Sequence, residues 1–249
     1  MNKVSILMPY YNRKAFIPLI IHNIKNQTYP HNQLRLIIDD DSEIKLNKKE
    51  IQHLKSSLSP VEVIYLPTAR KTIGKKRNDL NKYVFKNYGK KSIVANMDTD
   101  DFYNKQYIEY GVNNITKLKY SCVGSSEMLF VYPYEEYKMS YIRTNKKALI
   151  HEASLIHTAQ FWKVSGGYDN NGTGEGKKML LGICEKMILD CPIEKCLICI
   201  SHKNNTIPKD SFLNDRLKLD CRLSLEDRKI IEECLNIEDY EIIEKSDSD

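Results

Sequence analysis

The chain has 249 residues and a net charge of +5, with 41% hydrophobic and 29% charged residues, which is typical of one large folded domain with or without an appendage. Basic and acidic residues are interspersed, so the charge favours small anionic substrates or a peripheral membrane contact and gives little reason to expect nucleic acid. No apolar run is long enough to span a bilayer and the N-terminus lacks a signal-peptide pattern. We therefore expect a cytoplasmic protein. Seven cysteines, an odd number without paired spacing, agree with a reducing compartment.

The first third of the chain alternates short apolar runs with amphipathic segments. This pattern predicts strands and helices in turn, at Val4–Met8, Ala15–Asn26, Leu34–Ile38, Leu46–Leu58 and Val61–Leu66. Such alternation indicates an α/β fold with a mostly parallel sheet, in which ligands bind at the carboxyl ends of the strands. Polar triplets follow all three strands, namely Tyr11-Asn12-Arg13, Asp39-Asp40-Asp41 and Thr68-Ala69-Arg70. We expect them to gather at one edge of the sheet.

A basic turn, Gly74-Lys75-Lys76-Arg77-Asn78, opens the next predicted helix, from Lys76 to about Tyr88. Free backbone N–H groups and basic side chains at a helix N-terminus favour anions. The glycine spacing excludes a Walker A loop. The alternative is a solvated basic turn.

Three carboxylates, of Asp98, Asp100 and Asp101, follow an apolar run at 92–96 that predicts a buried strand. Crowded carboxylates raise one another's pKa unless a positive charge lies among them. Hard oxygen ligands suit Mg²⁺ or Mn²⁺, whose remaining positions are filled by water and substrate phosphate. The pattern therefore predicts a metal–diphosphate site at a strand end, and the alternative is a solvated acidic loop or a helix cap.

The second half is predicted to contain a helix at Lys105–Leu118, strands at 121–125, 128–132 and Ala153–His157, and a short helix beginning at Phe161. The aromatic and acidic segment Tyr134–Tyr141 predicts an excursion over one side of the second half. His151 and His157 are interpreted as structural residues on that side. In the tail, 211–249, helical periodicity at Leu225–Leu235 predicts an appendage that ends in a frayed segment.

The spacing Cys196-x-x-Cys199-x-x-His202, with Cys184 and Cys191 nearby, also raises the possibility of zinc. The segment Lys195–Ser201 has a β-strand pattern, which would turn Cys196 and Cys199 to opposite faces. Cysteine also packs well as a small buried hydrophobe. We therefore favour core cysteines over a zinc site.

Five ordered segments resemble the motifs of family-2 glycosyltransferases, which have the GT-A fold. The opening segment 4–13, the segment 26–30, the strand end 38–42, the turn 74–78 and the acidic segment 97–101 match in order and spacing. Asp41 is a departure, because it stands where glycine is usual. The resemblance covers about the first half of the chain.

The resemblance implies a single GT-A domain over 1–210, with a donor half at 1–103 and an acceptor half at 104–210. The implied donor is a nucleoside-diphosphate sugar, with UDP-sugar favoured because Asp39 and Asp40 suit a uracil N–H. The donor-binding residues expected from the resemblance are Pro9, Tyr11, Asn12, Asp39, Asp40, Lys75, Arg77 and Asp98. Those expected to hold Mn²⁺ or Mg²⁺ are Asp98, Asp100 and His202.

The catalytic acidic motif is the weakest match. Gly166-Gly167-Tyr168-Asp169 resembles the turn that precedes it, and the motif itself usually reads Glu-Asp, with the Asp as general base. Here Gly174-Glu175-Gly176 places glycine at the base position. We expect Glu175 to replace the base, with Asp169 as the second candidate.

The expected activity is metal-dependent, inverting transfer of a sugar to a hydroxyl of a glycan, lipid or protein. A sugar-1-phosphate nucleotidyltransferase is an alternative, but it would need a Gly-rich basic signature after the first strand, where Pro9-Tyr10-Tyr11-Asn12 stands. An inactive module that binds nucleotide sugars or glycans is the other alternative.

Overall fold

The computed structural model describes residues 2–144, 146–181, 185–205, 208–209, 212–213 and 223–237. Strands and helices alternate in its first part, as predicted. They are β1 (Val4–Tyr10), α1 (Ile17–Lys25), β2 (Leu34–Asp40), α2 (Lys48–Leu58), β3 (Glu62–Pro67), α3 (Ile73–Tyr88) and β4 (Ile93–Asn96). The later elements are β5 (Asp101–Tyr103), α4 (Tyr107–Lys117), β6 (Cys122–Gly124), β7 (Glu127–Tyr132), β8 (Lys138–Arg143), β9 (Ile156–Thr158), α5 (Ala159–Val164), α6 (Lys177–Leu180), β10 (Ile188–Asp190), β11 (Leu197–Ile200) and α7 (Leu225–Leu235).

The main sheet has the strand order β10-β6-β9-β4-β1-β2-β3. Its strand pairs are parallel except where β9 runs antiparallel to β4 and β6. Every residue of β1 and β2 is buried. This explains their nearly continuous apolar runs, because helices cover both faces of a parallel sheet. The predicted α/β class with a mostly parallel sheet is confirmed.

A second sheet has the order β5-β11-β7-β8. The segment 138–143, of which the first part was predicted as an excursion, pairs antiparallel with β7 along its length. Met139 and Tyr141 pack against the main core from this strand. The pairing of β5 with β11 sets Asp101 opposite Cys199 and so brings two distant segments together.

Helix α7 packs on the body of the protein. Ile231 and Cys234 lie in one buried cluster with Phe16 and Leu19, and His22 Nε2 lies 3.1 Å from Asp227 Oδ1. The predicted domain boundary at 210 stays a prediction, and the tail beyond residue 237 lies outside the described residues. Among the helices that are described, none combines the length and the apolar character needed to cross a membrane.

Candidate active site

A cavity of about 610 Å³ opens at the carboxyl edge of the main sheet. Its walls come from the loop after β1, the start of α3, the segment 98–100 after β4, residues 151–152 before β9, and the loop 172–175. Strands β2, β1 and β4 are neighbours that run in the same direction, so their carboxyl ends meet at this edge. The cavity therefore lies where parallel α/β sheets bind their ligands.

Arg77 joins two walls of the cavity. Its side chain is 3% exposed, its Nε donates to Glu175 Oε1 at 2.9 Å, and its Nη2 donates to Asp98 Oδ1 at 2.9 Å. Burial alone would lower the pKa of Arg77, but the carboxylates of Asp98 and Glu175 raise it well above its ordinary value. Its Nη1 is buried and has no hydrogen-bond partner among the described residues. Arg77 thus holds the strand-end loop and the 172–175 loop in one arrangement.

Asp100 borders the cavity, and His202 contacts it from outside the lining residues. His202 Nε2 lies 3.0 Å from Asp100 Oδ2, which also accepts a hydrogen bond from Arg13 Nε at 3.2 Å. Burial alone would raise the pKa of Asp100, but the hydrogen bond of His202 and the charge of Arg13 bring it well below its usual range. The antiparallel pairing of β5 with β11 places these residues together, although they are 102 positions apart.

The donor set of Asp100 and His202 suits a divalent cation that shares its coordination with substrate. Among the described residues, no group of three or more His, Cys, Asp or Glu side chains could enclose a metal ion. One carboxylate and one imidazole leave most positions for water and phosphate, an arrangement that suits Mn²⁺ and Mg²⁺. In this structure Asn204 N–H donates to His202 Nδ1 at 3.2 Å. Binding of a metal at Nε2 would shift the ring proton to Nδ1 and break that hydrogen bond.

Asp39 and Asp40 were expected at the nucleoside. Their carboxylates form hydrogen bonds or ion pairs with residues of β3 and of the loops that follow β2 and β3. Asp39 accepts from Thr68 Oγ1 at 2.5 Å and pairs with Lys71 Nζ at 2.7 Å. Asp40 is fully buried and accepts from Ser42 N–H. Burial alone would raise the pKa of Asp40, yet its hydrogen bonds lower it, so the carboxylate stays ionised. Neither carboxylate borders the cavity, whereas Lys71 does.

Asp41, at the position where glycine is usual, holds two cations of the cavity wall. Its Oδ1 lies 2.6 Å from Lys76 Nζ and its Oδ2 lies 2.9 Å from Arg70 Nη1. The Arg70 guanidinium in turn lies 3.6 Å from the centre of the Tyr11 ring. Asp41 therefore fixes a cationic and aromatic surface on the wall of the cavity.

The other residues predicted from the resemblance occupy two different environments. Pro9 and Tyr11 border the cavity. Asn12 and Lys75 lie outside its walls. Asn12 takes the left-handed conformation (φ 51°) in the turn after β1, and Lys75 Nζ pairs with Asp79 at 2.7 Å. Lys75 thus contacts its own helix in this structure.

The loop that carries Glu175 packs directly on the start of α3. A Cβ atom on Gly74 would lie 1.7 Å from the carbonyl oxygen of Asp169, so glycine is required by this approach. The Asp169 N–H donates to the Glu175 carbonyl at 2.8 Å, which closes the loop. The Asp169 side chain lies outside the cavity walls, 3.8 Å from Lys178 Nζ. Of the two predicted base candidates, Glu175 borders the cavity and Asp169 does not.

Two cavity residues, Lys71 and Glu152, escaped the sequence reasoning, and Arg13 was predicted only as part of a strand-end triplet. Glu152 Oε1 accepts a hydrogen bond from Gly176 N–H at 2.9 Å. His151, beside it, also borders the cavity, and its Nδ1 is buried without a partner among the described residues. The available sequence signal for this wall of the cavity was the adjacent pair His151-Glu152, just before the predicted strand Ala153–His157.

The cysteines considered for zinc are buried in the core. Cys191, Cys196 and Cys199 are free thiols, and Cys191 Sγ lies 3.1 Å from Cys196 Sγ. Burial raises the pKa of Cys199 well above its ordinary value, which disfavours the thiolate that zinc requires. His202 contacts Asp100 and is separate from these thiols. Cys184 lies outside the described residues.

The fold and the family follow from comparison with known proteins. The family model described as Glycosyl transferase family 2 matches residues 5–165. S. aureus TarS superposes with a TM-score of 0.57 at 16% identity, over 80% of this chain and 36% of TarS. TarS 1–349 in complex with UDP gives 0.60 at 15%, over 80% and 60% of the two chains. The mannosyltransferase PcManGT from Pyrobaculum calidifontis, in complex with GDP-Man and Mn²⁺, gives 0.57 at 15%, over 84% and 58%.

A comparison with curated protein sequences gives no match. The chain spans less than two thirds of the length of each structure named above. At such low identity the structural likeness is evidence for the fold, and the family model, which covers more than half of the chain, is evidence for the family. The predicted GT-A fold is confirmed, and the chain belongs to glycosyl transferase family 2.

Proposed function

We propose that this chain transfers a sugar from a nucleoside-diphosphate sugar, with UDP-sugar favoured, to an acceptor hydroxyl, with inversion and with help from a divalent cation. The observation that carries the proposal is the charge arrangement of one cavity. The cavity is lined by Asp100, which His202 contacts, by the cations of α3 and its preceding loop, and by carboxylates on the wall formed by 151–152 and 172–175. The complexes of TarS with UDP and UDP-GlcNAc, and of PcManGT with GDP-Man and Mn²⁺, support the same class of donor.

The nucleoside is assigned to the wall formed by Pro9, Tyr11 and Arg70. The Tyr11 ring and the Arg70 guanidinium offer flat surfaces to a base. Asp39 reaches a ribose or base N–H only by exchanging its contact with Lys71, which then becomes available to phosphate oxygens. In this scheme Lys71 exchanges Asp39 for phosphate oxygens when the donor binds.

The diphosphate is assigned to the space between Arg77 and the Asp100–His202 pair. A Mn²⁺ or Mg²⁺ ion held by Asp100 and His202, with Asp98 beside it, would offset the charge of the departing diphosphate. Arg13 already contacts Asp100, and it would share that carboxylate with the ion. Asp98 joins the ligand set only if it leaves Arg77, to which both of its oxygens are bonded.

The acceptor hydroxyl is assigned to the wall that carries Glu175. A carboxylate must take the hydroxyl proton as the oxygen attacks the anomeric carbon, and such help gives about 10²–10⁴-fold in rate. Glu175 borders the cavity but is ion-paired with Arg77. That pairing favours, as the second candidate function, a module that binds nucleotide sugars without turning them over.

The test is an assay of product identity. The parent protein is incubated with UDP- and GDP-sugars and an acceptor panel, with Mn²⁺ or excess EDTA, and products are read by mass spectrometry. We expect a glycosylated acceptor and nucleoside diphosphate in equal amounts, only with the metal. In a parallel incubation with added pyrophosphate, formation of nucleoside triphosphate and sugar 1-phosphate would instead identify a nucleotidyltransferase. Donor binding without any transfer would favour the binding module.

A further inference from the structure

One carboxylate of the cavity differs from the others in its surroundings. The carboxylates that border the cavity belong to Asp98, Asp100, Glu152 and Glu175. Arg77 pairs with Asp98 and Glu175, and Arg13 and His202 pair with Asp100. Within the part of the chain that the structure describes, Glu152 forms no ion pair. A general base needs a carboxylate whose charge is not already offset by a cation, so Glu152 is the best suited of the four.

The geometry at Gly176 explains why this position is a glycine. Its backbone lies in the right-handed helical region (φ −75°, ψ −20°), which any residue can adopt. The obstacle to a side chain is Glu152, because a Cβ atom on Gly176 would lie 2.5 Å from Glu152 Cγ and 2.9 Å from its Oε1. The Glu152 side chain therefore fills the space into which a side chain at position 176 would project.

Glu152 is also held in place by its own contacts. The Gly176 N–H donates to Oε1 at 2.9 Å, which fixes the carboxyl group. The Asn96 side chain donates to the Glu152 carbonyl at 2.7 Å, which ties its backbone to the end of β4. Among the described residues no hydrogen bond reaches Oε2, so this oxygen is available to an acceptor hydroxyl. The neighbouring His151, with its buried and unpaired Nδ1, lies on the same wall.

We propose that Glu152 is the catalytic base, and that Glu175 is a positioning residue that orients Arg77. The inference rests on the proposed transfer. The resemblance places the usual base at position 176, and Glu152 supplies a carboxylate to that space from a separate segment, 24 residues earlier. Its Oε2 takes the acceptor hydroxyl proton while the acceptor oxygen bonds to the anomeric carbon. The bond from that carbon to the diphosphate oxygen breaks, and the nucleoside diphosphate leaves with the electron pair.

The first experiment compares Glu152→Gln, Glu175→Gln and the control Glu226→Gln, whose side chain is exposed on α7 and does not border the cavity. Glutamine keeps an oxygen for the Gly176 N–H but cannot take a proton. We expect Glu152→Gln to lower kcat by about 10²-fold or more with unchanged donor affinity by calorimetry. Glu175→Gln should weaken donor binding and raise KM, because Arg77 loses one of the two carboxylates that hold it. Glu226→Gln should match the parent.

The second experiment moves the carboxylate back to position 176. Gly176→Asp alone should impair transfer through its clash with Glu152, and Glu152→Ala alone should lack the base. The combination Glu152→Ala/Gly176→Asp should recover a large part of the lost rate, because the alanine vacates the space. Transfer by Glu152→Gln at the parental rate would overturn the base assignment alone. A parent that binds donor but never transfers sugar would overturn the proposed function and the assignment together.

Discussion

Gly74→Ala tests whether the start of α3 sets the position of the loop that carries Glu175. The added Cβ atom would lie 1.7 Å from the Asp169 carbonyl oxygen and 3.0 Å from Glu175 Cβ. The carbonyl must recede by about 1.3 Å before the separation reaches even 3.0 Å, the lower limit of real Cβ contacts. In a helix, alanine in place of glycine would otherwise stabilise the fold by up to about 1 kcal/mol. Overpacking against backbone costs about 1–3 kcal/mol, so we expect net destabilisation.

Displacement of this loop should also slow catalysis, because the loop carries Glu175 and the Gly176 N–H that holds Glu152. A misplacement of about 1 Å can lower a rate by about 10²-fold, so we expect a loss of that order in kcat. The assays are denaturant unfolding and sugar transfer. For the unfolding assay Gly172→Ala is the matched control, because its Cβ would meet nothing within 4 Å. A Gly74→Ala protein that is more stable than the parent and equally active would refute the reasoning.

Three further predictions concern buried groups. Burial lowers the pKa of His157 to about 4, so its contribution to stability is present above pH 6.5 and is lost as the pH falls towards 4. We expect the free energy of unfolding to fall by about 2 kcal/mol between pH 7 and pH 5, and His157→Gln should remove this loss. An equal pH dependence of stability in the parent and in His157→Gln would contradict the prediction. Asp41→Asn leaves the charge of the buried Lys76 unpaired and should lower the free energy of unfolding by about 3–5 kcal/mol. The double variant Asp41→Asn/Lys76→Met should lose less, and equal losses in the two variants would contradict a stabilising ion pair. If Cys191, Cys196 and Cys199 are core residues, a chelator should leave the melting temperature of the protein unchanged. Metal analysis that finds one bound zinc per chain would contradict this prediction.

The sequence was informative wherever a pattern was local. Apolar periodicity was sufficient to predict the alternation from β1 to β4, and the strand-end triplets predicted the edge where the cavity lies. Arg77, Asp98 and Glu175 were each identified separately, but not the ion pairs that join them. Those contacts depend on the packing of the loop near residue 170 against Gly74, which no local pattern specifies.

Long-range pairing is what local patterns could not specify, and Asp100 and His202 were brought together only by the family resemblance. The contact between Asp100 and His202 depends on the register of β5 with β11, two short strands of three and four residues. Strands this short leave little periodicity to detect. The resemblance places Asp40 at the nucleoside, which stays a prediction, and no local pattern reveals that Tyr65 of the neighbouring strand β3 donates to it. Glu152 was missed because its contact with Gly176 joins two loops.

The most direct test of the metal-assisted donor site is calorimetric titration of UDP into the parent, Asp100→Asn and the comparison variant Asp101→Asn, with Mn²⁺ and with excess EDTA. For the parent, we predict that Mn²⁺ tightens binding by about tenfold or more, equivalent to about 1.4 kcal/mol. Asp100→Asn should lose this increment and Asp101→Asn should keep most of it, because Asp100 contacts His202 whereas Asp101 pairs with Lys209. Equal affinity of the parent for UDP in Mn²⁺ and in EDTA would contradict the proposal.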